Sequence, residues 1–276
     1  MRSYLKILRP FNLLITAFAS IVAYVIVAEK IIYANLSFIV LSTVLTAAAG
    51  NIINDIIDID IDILNKPHRP LPSGNMTVGS AYVLYVLFVA GSIISGFFLG
   101  YHSAAAVILV NFILLFYTVF LKRRPFWGNF IVAFISGYLF YFCSITTGNF
   151  TKIIPLAVSA FLFHFIREII KDVSDIKGDR KNNARTMAVK LGIKKTVRII
   201  VILIFTLIIY LGWLMLSGHY NSSFTAIIIF SVFPVMIYVL ISLFKKGAAL
   251  IDYEKLSLIM KADMVFGILA FYFGLA

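Results

Sequence analysis

Two short acidic stretches of this chain place oxygen-bearing side chains at matching intervals. The pattern D-x-x-D-x-x-x-D occurs twice, and each aspartate of the second copy lies 117 residues after its counterpart. The first acidic motif is Asn54, Asp55, Asp58 and Asp62, and the second acidic motif is Asp172, Asp175 and Asp179. A single pair of aspartates often marks only the point where a membrane helix re-enters water. Two copies of the pattern with the same spacing instead indicate a functional site.

Clustered carboxylates of this kind are suited to binding a hard metal ion. Two carboxylates about 8 Å apart repel each other by on the order of 2 kcal/mol at an effective dielectric of about 20. A divalent cation relieves that repulsion, and Mg²⁺ commonly combines one or two carboxylates with substrate phosphates. Carboxylate and amide ligands without thiolate favour Mg²⁺ or Mn²⁺ over zinc. The motifs therefore predict metal-assisted chemistry on a phosphate or diphosphate.

Helical phase decides which of these side chains share a face. At about 100° per residue, the first acidic motif falls within an arc of roughly 100°, whereas Asp60 points to nearly the opposite side. Glu168 joins the second acidic motif within an arc of about 60°. Gly178 leaves open whether Asp179 belongs to that helix or to a following loop.

Basic residues accompany both motifs, and their charge would complement a polyanion held by metal ions. They are Lys66, Arg69, Lys122, Arg123, Arg167, Lys171 and Arg180.

The elements that position these groups are membrane helices. The chain has 276 residues, of which 62% are hydrophobic and 13% charged, so a polytopic membrane domain is the class that fits. Windows of about 19 residues predict an all-α chain with nine spans. They are near 11–28, 36–57, 79–99, 104–121, 126–144, 153–170, 196–216, 224–244 and 258–275. One cysteine excludes a disulfide framework.

The distribution of charge predicts the orientation of the spans. The net charge is +12, and 22 of the 24 basic residues lie on the side of the N-terminus and the acidic motifs. The positive-inside rule places that side in the cytoplasm and the C-terminus outside, so the basic excess reflects topology and lipid head groups and not nucleic acid. All acidic residues but Glu29 share that face, and no charged residue lies clearly at mid-span. A transporter, which needs polar steps across the bilayer, is therefore a remote alternative.

The repeated motif also bears on domain organisation. Its two copies, at 54–62 and 171–179, lie at the cytoplasmic ends of the second and the sixth predicted spans. We expect one membrane domain over residues 1–276, with an internal duplication of a four-helix unit.

The motifs and the sequence NKPHRPLPSG after the first of them are similar to those of the UbiA-type intramembrane prenyltransferases. The resemblance covers essentially the whole chain. It implies a bundle of nine helices around a central cavity that is open to lipid, with a cytoplasmic cap. It also implies a prenyl diphosphate substrate bound with Mg²⁺, expected as two ions.

Roles follow from this resemblance position by position. The catalytic residues implied are Asp58, Asp62, Asp175 and Asp179. The implied metal ligands are Asn54, Asp58, Asp62, Asp172, Asp175 and Asp179. The implied substrate-binding residues are Asn54, Asp55, Arg69, Lys122, Lys171, Arg9, Asn12, Arg167 and Glu168. The base that takes the acceptor's proton stays open between the released diphosphate, Asp55 and Glu168.

Two further stretches indicate the acceptor. REIIKDVSDIKGDR, from Arg167 to Arg180, and RPFN, from Arg9 to Asn12, resemble the archaeal ether-lipid branch of the family. That branch transfers a geranylgeranyl group from its diphosphate to the free hydroxyl of geranylgeranylglyceryl phosphate, a lipid-like phosphorylated acceptor. Arg167 and Lys171 suit an acceptor that carries its own phosphate. An aromatic acceptor such as 4-hydroxybenzoate is the alternative, and the oligomeric state is not predicted.

Two polar segments are expected to form the cap. Proline bars helix continuation and glycine permits unusual turns, so NKPHRPLPSG predicts a non-helical lid. A loop over 172–195 is its expected counterpart.

Overall fold

The computed structural model describes residues 2–122, 124–181, 184–245 and 251–275, and the regular structure in these ranges is helical throughout. Arg123, one of the cations predicted to accompany the motifs, lies outside them. Two compact units are present, and each is described by itself. The first unit is Met1–Lys122 with Phe142–Phe150, and the second is Arg123–Tyr141 with Thr151–Ala276.

The first unit is organised around one long helix, α3. Its helices are α1 (Arg2–Leu8), α2 (Pro10–Val27), α3 (Tyr33–Ile57), α4 (Ile59–Asn65), α5 (Val78–Phe98) and α6 (Tyr101–Phe116), and α6 continues into a π-helical turn, Tyr117–Leu121. Helix α3 packs against α1, α2, α5 and α6. Helices α5 and α6 approach closely at Gly96, where a Cβ would lie 3.0 Å from Cα of Ala104. Small residues allow such approach between apolar helices.

The second unit contains the remaining helices. They are α7 (Trp127–Cys143), α8 (Phe150–Lys181), α9 (Met187–Leu191), α10 (Ile193–Leu216), α11 (Ser222–Ile227), a π-helical turn (Ile228–Val232), α12 (Phe233–Lys245) and α13 (Tyr253–Leu275). Helix α7 meets α8 at Gly137, where a Cβ would lie 2.8 Å from the carbonyl oxygen of Ala157. Helix α13 packs against α11, α12 and the π-helical turn between them.

Within the described residues, eight helices are long and apolar enough to cross a membrane. They are Pro10–Val27, Tyr33–Ile57, Val78–Phe98, Tyr101–Leu121, Phe150–Lys181, Ile193–Leu216, Ser222–Phe244 and Tyr253–Leu275. The predicted fifth span coincides with the apolar helix α7, whose 17 residues lie at the lower end of the length needed to span. The chain is therefore a multi-pass, all-α membrane protein.

Helix α8 differs from the prediction because it does not end with its apolar part. It runs for 32 residues, or about 48 Å at about 1.5 Å per residue, against a hydrocarbon core of about 30 Å. Gly178 does not end it, since a glycine inside a helix costs only about 1 kcal/mol relative to alanine. The prediction of a loop over 172–195 is therefore wrong for residues 172–181, and it is also wrong for α9 and for residues 193–195, which begin α10. The whole second acidic motif is helical.

Helix α13 gives a second correction, because Asp263 is the eleventh of its 23 residues. The prediction that no charged residue lies at mid-span is wrong here, since the helix begins five residues before the predicted span. Asp263 is buried, and its Oδ1 accepts a hydrogen bond of 2.6 Å from Ser231 in the π-helical turn. No partner of its Oδ2 is found in the part of the chain that the structure describes.

The segment predicted as a non-helical lid is folded onto the first unit. Residues 59–65 form α4, and turns follow up to Thr77. Leu71 and Met76 of these turns are buried in a cluster with Ile52, Ile53 and neighbouring residues of α1 and α5. The polar part of the segment is therefore anchored by its own apolar side chains.

Candidate active site

The first acidic motif lies where α3 passes into α4. Asp58 is the junction residue, with φ −93° and ψ 6°, yet helical hydrogen bonding continues through it. Its N–H donates to the Asn54 carbonyl at 3.0 Å, and its own carbonyl accepts from the N–H of Asp62 at 2.8 Å. The side chains of the first acidic motif therefore follow one face of a continuous helical path, as the sequence predicted, and we call this row of side chains the stripe. Asp60 is exposed.

Arg69 connects two carboxylates of this stripe. Its Nη1 donates to Asp55 at 3.1 Å and also to Asp62. Both carboxylates are 4% exposed, so they need such partners to be buried as charged groups. NKPHRPLPSG thus supplies a cation to the motif that precedes it.

Arg9 is a second cation on Asp55. It separates α1 from α2 with a left-handed backbone, φ 55° and ψ 66°, and Pro10 begins α2. A non-glycine residue at positive φ is strained, and such residues persist where surrounding contacts hold them. Here the ion pair with Asp55 is such a contact. Asn12 lies in the first turn of α2, where its N–H donates to the Arg9 carbonyl at 2.8 Å.

Lys122 and Thr118 hold the other half of the stripe. Lys122 Nζ donates to Asn54 Oδ1 at 3.1 Å and pairs with Asp58. Thr118 Oγ1 also donates to Asn54 Oδ1 at 3.1 Å, and Thr118 belongs to the π-helical turn that ends α6. Such turns are frequent at functional sites because they shift side chains out of helical register. The oxygens of Asn54 and Asp58 thus face a cation of the same unit.

Two carboxylates of the second acidic motif accept hydrogen bonds from neutral side chains. Asn129, buried near the start of α7, donates from Nδ2 to Asp172 Oδ2 at 2.7 Å. Thr186 Oγ1 donates to Asp179 Oδ2 at 3.0 Å. Asp175, between them on α8, is exposed. This motif therefore has two positioned carboxylates and one that faces outward.

The basic residues beside this motif bind Glu168. Arg167 Nη1 donates to Glu168 Oε1 at 2.7 Å, and Lys171 Nζ lies 3.8 Å from Oε2. Arg167 Nε also donates to the backbone carbonyl of Ser257 at 3.3 Å. The pair predicted to face a phosphate is thus engaged with a carboxylate in this structure.

Three neutral residues of the site were missed by the sequence reasoning: Thr118, Asn129 and Thr186. Their signal in the sequence was weak, since single polar residues near helix ends are common. Thr118 lies one helical turn before Lys122, and that spacing is the clue that could have found it.

The donor set fits Mg²⁺ that shares its coordination with a substrate. Its oxygens come from an amide and from carboxylates, the ligands of a hard cation. Among the described residues, no three His, Cys, Asp or Glu side chains meet closely enough to hold an ion by themselves. Diphosphate oxygens and water would complete the coordination, as Mg²⁺ prefers.

The fold and these two sites define a class: a multi-pass membrane protein whose helix ends carry oxygen ligands and cations suited to a diphosphate. The model of the UbiA prenyltransferase family matches residues 13–256, and the chain belongs to that family.

Similarity to known proteins extends over the whole chain. It is 37% identical over 202 residues to digeranylgeranylglyceryl phosphate synthase of Methanoregula boonei, covering 71% of this chain and 70% of the relative. It is 32% identical to the synthase of the same name from Methanococcoides burtonii, over 99% of this chain and 100% of the relative. A solved structure described as digeranylgeranylglyceryl phosphate synthase superposes with TM-score 0.80 at 26% identity, covering 99% and 98%. A UbiA homologue from Archaeoglobus fulgidus, solved with DMAPP and Mg²⁺, shares the fold at TM-score 0.72 and 20% identity, covering 98% of this chain and 99% of that one.

Proposed function

We propose that this prenyltransferase moves a geranylgeranyl group from geranylgeranyl diphosphate to the free hydroxyl of geranylgeranylglyceryl phosphate. The product carries the second ether bond of an archaeal membrane lipid. The observation that carries this proposal is the full-length similarity to relatives named digeranylgeranylglyceryl phosphate synthase, with both acidic motifs present.

The reaction breaks one C–O bond and forms another. The allylic C–O bond to diphosphate breaks and the leaving group takes the electron pair. The acceptor's hydroxyl oxygen then bonds to the same carbon and loses its proton. Mg²⁺ bound with the diphosphate would act as a Lewis acid that stabilises this leaving group. We infer two ions, one for each acidic motif.

In the first motif, we assign the oxygens of Asn54, Asp58 and Asp62 to metal binding. Lys122 and Arg69 now neutralise these groups. With a metal ion bound to these oxygens, Lys122 and Arg69 would be available to bind the diphosphate, which is the stronger polyanion. The side chains that pair with the carboxylates in this structure would then hold the leaving group.

In the second motif, we assign Asp172, Asp175 and Asp179 to metal binding. Asn129 and Thr186 fix the direction of Asp172 and Asp179. Asp175 is exposed and therefore accessible to an ion. Asp55 and Glu168 are each paired with two cations, so neither stands out as the proton acceptor, and the released diphosphate remains the third candidate.

Aromatic rings of α7 and α8 are assigned to exclusion of water. Phe130 contacts Phe161 and Phe165 of α8, with ring centroids 5.5 Å and 6.3 Å apart, and further rings follow along α7. An allylic cation must be kept from water, and ring faces attract positive charge. Both effects protect the reacting carbon.

The proposed setting is the cytoplasmic side of the membrane. The bias of basic residues supports a cytoplasmic N-terminus and cytoplasmic acidic motifs, with the C-terminus outside. The polar segments after α3 and α8 would then form a cap over the diphosphate.

One assay tests the function and the acceptor together. Purified protein receives labelled geranylgeranyl diphosphate with Mg²⁺ and either geranylgeranylglyceryl phosphate or 4-hydroxybenzoate. We expect label in the glyceryl phosphate product only, and complete loss with a chelator. Label in the benzoate product alone would overturn the assigned acceptor.

Aspartate variants test the site in the same assay. Asp58→Ala and Asp175→Ala are expected to abolish transfer while the protein stays folded. Asp60→Ala is the matched control, because Asp60 is exposed and off the stripe. Wild-type turnover by Asp58→Ala or Asp175→Ala would contradict the assigned site.

A further inference from the structure

A cavity of about 580 Å³ in the second unit is lined mainly by cations. Its lining residues are Arg124, Pro125, Arg185, Val189 and Lys190. They come from two segments of chain, one before α7 and one around α9. Three of the five are positively charged and none is acidic. Neither the acidic motifs nor the residues assigned to the metal ions belong to this cavity.

The described residues that line the cavity include no acidic side chain to pair with its cations. All three cations are exposed, so water screens their mutual repulsion, and an anion bound among them would be attracted by each of them. Within the described ranges, the structure shows no hydrogen bond or ion pair made by the side chains of Arg124, Arg185 or Lys190. By contrast, Arg167 and Lys171 are both paired with Glu168. The cavity, and not that pair, is therefore the better receptor for a separate phosphate.

Both segments that line the cavity lie next to residues that donate hydrogen bonds to the second acidic motif. Arg124 and Pro125 lead into α7, whose Asn129 donates to Asp172 at 2.7 Å. On the other wall, Thr186 follows Arg185 directly and donates to Asp179 at 3.0 Å. A phosphate bound in the cavity would therefore be held by segments that are themselves fixed on α8. An acceptor whose phosphate is bound there would have its head group at a fixed position relative to the second acidic motif. Transfer requires such a fixed position, because the acceptor hydroxyl must reach the reacting carbon.

The chemistry of the lining selects the ligand class. Arginine presents planar N–H groups that pair with phosphate oxygens in two-point contacts, and lysine adds a compact charge. Pro125 and Val189 provide apolar surface for the carbon atoms next to the phosphate. We propose that this cavity binds the phosphate monoester of the lipid acceptor. This inference rests on the proposed function and deepens it, since it assigns the acceptor head group to residues outside the acidic motifs.

The experiment compares charge-removing variants with matched controls. Arg185→Gln and Lys190→Gln remove a cavity cation each. Arg198→Gln and Lys195→Gln make the same changes at exposed positions of α10 that do not line the cavity. Each protein is assayed in nanodiscs of neutral lipid, with geranylgeranylglyceryl phosphate or with the same acceptor lacking its phosphate.

We expect each cavity variant to raise KM for the phosphorylated acceptor by about tenfold or more, the loss of one charge-assisted contact. KM for geranylgeranyl diphosphate should change less than about twofold, since the diphosphate is held elsewhere. With the acceptor that lacks phosphate, cavity variants and wild type should have equal kcat/KM. The control variants should match wild type throughout.

The other outcomes each decide against the inference. If wild type is active and the cavity variants match their controls, the cavity does not bind the acceptor phosphate. If the variants differ from their controls only after anionic lipid is added to the nanodiscs, the cavity binds bilayer head groups instead. If wild type itself transfers nothing to the phosphorylated acceptor, the proposed function fails and this inference fails with it.

Discussion

Arg69 donates hydrogen bonds to two buried carboxylates, so replacing it with glutamine is expected to destabilise the first unit. Asp55 keeps Arg9 as a partner after this change, whereas Asp62 loses the ion pair described for it. An ionised carboxylate that is 4% exposed and unpaired is costly to bury. The main effect of Arg69→Gln should therefore come through Asp62.

The size of the expected stability loss follows from the burial of Asp62 and the partial exposure of Arg69. Removing one partner of a fully buried pair costs about 3–5 kcal/mol. Arg69 itself is 22% exposed, so its charge is partly solvated and the expected loss is smaller. We expect about 2–3 kcal/mol, which corresponds to a fall in Tm of roughly 4–10 °C for a chain of this size. In an Asp62→Asn background the same change should cost about 1 kcal/mol or less, because no charge is left without a partner.

Thermal unfolding in detergent of wild type, Arg69→Gln, Asp62→Asn and the double variant measures this coupling. Activity is measured on the same samples, and all three variants are expected to be inactive because both residues are assigned to diphosphate and metal binding. An equal loss of Tm for Arg69→Gln in both backgrounds would refute the reasoning.

Two further predictions concern packing inside the second unit. Gly137→Ala should destabilise by about 1–3 kcal/mol, because its Cβ would meet the Ala157 carbonyl at 2.8 Å. Gly212→Ala in α10, where a Cβ meets nothing within 4 Å, is the control; equal Tm for both would contradict the close approach. Asp263→Asn should preserve stability within about 1 kcal/mol because the hydrogen bond from Ser231 remains, whereas Asp263→Ala should cost about 1–3 kcal/mol. Similar thermal unfolding of the two position-263 variants would show that this bond contributes little.

The membrane helices were predictable because long apolar runs have few alternatives in lipid. Each predicted span coincides with a helix, although α7 is shorter than the others. Helix ends were less predictable, and α8 is the clearest case. Its polar extension has no hydropathy signal, and Gly178 was an ambiguous sign of a helix end.

The candidate site was predictable to the extent that it is charged. Spacing identified the carboxylates, and the resemblance pointed to Arg9, Arg69 and Lys122, which the structure brings to the first acidic motif. Neutral partners such as Asn129 and Thr186 could not be found, because their roles depend on which segments meet on α8. That depends on tertiary packing and not on local pattern.

The internal duplication stays a proposal, motivated by the place of each acidic motif in its own unit. In the first unit the acidic motif lies where α3, the second of its long helices, passes into α4. In the second unit the motif ends α8, again the second long helix. We infer that both descend from one four-helix ancestor, with α13 added and residues 1–276 acting as one domain.

The local pairing of the acidic motifs has a consequence for biogenesis. The first motif is neutralised by Arg9, Arg69 and Lys122 of its own unit, and Asn129 and Thr186 support the second. Zinc fingers, by contrast, acquire their fold from the metal itself. We therefore expect the chain to fold in the membrane without a bound ion. Removal of Mg²⁺ should then stop transfer and leave the folded protein intact.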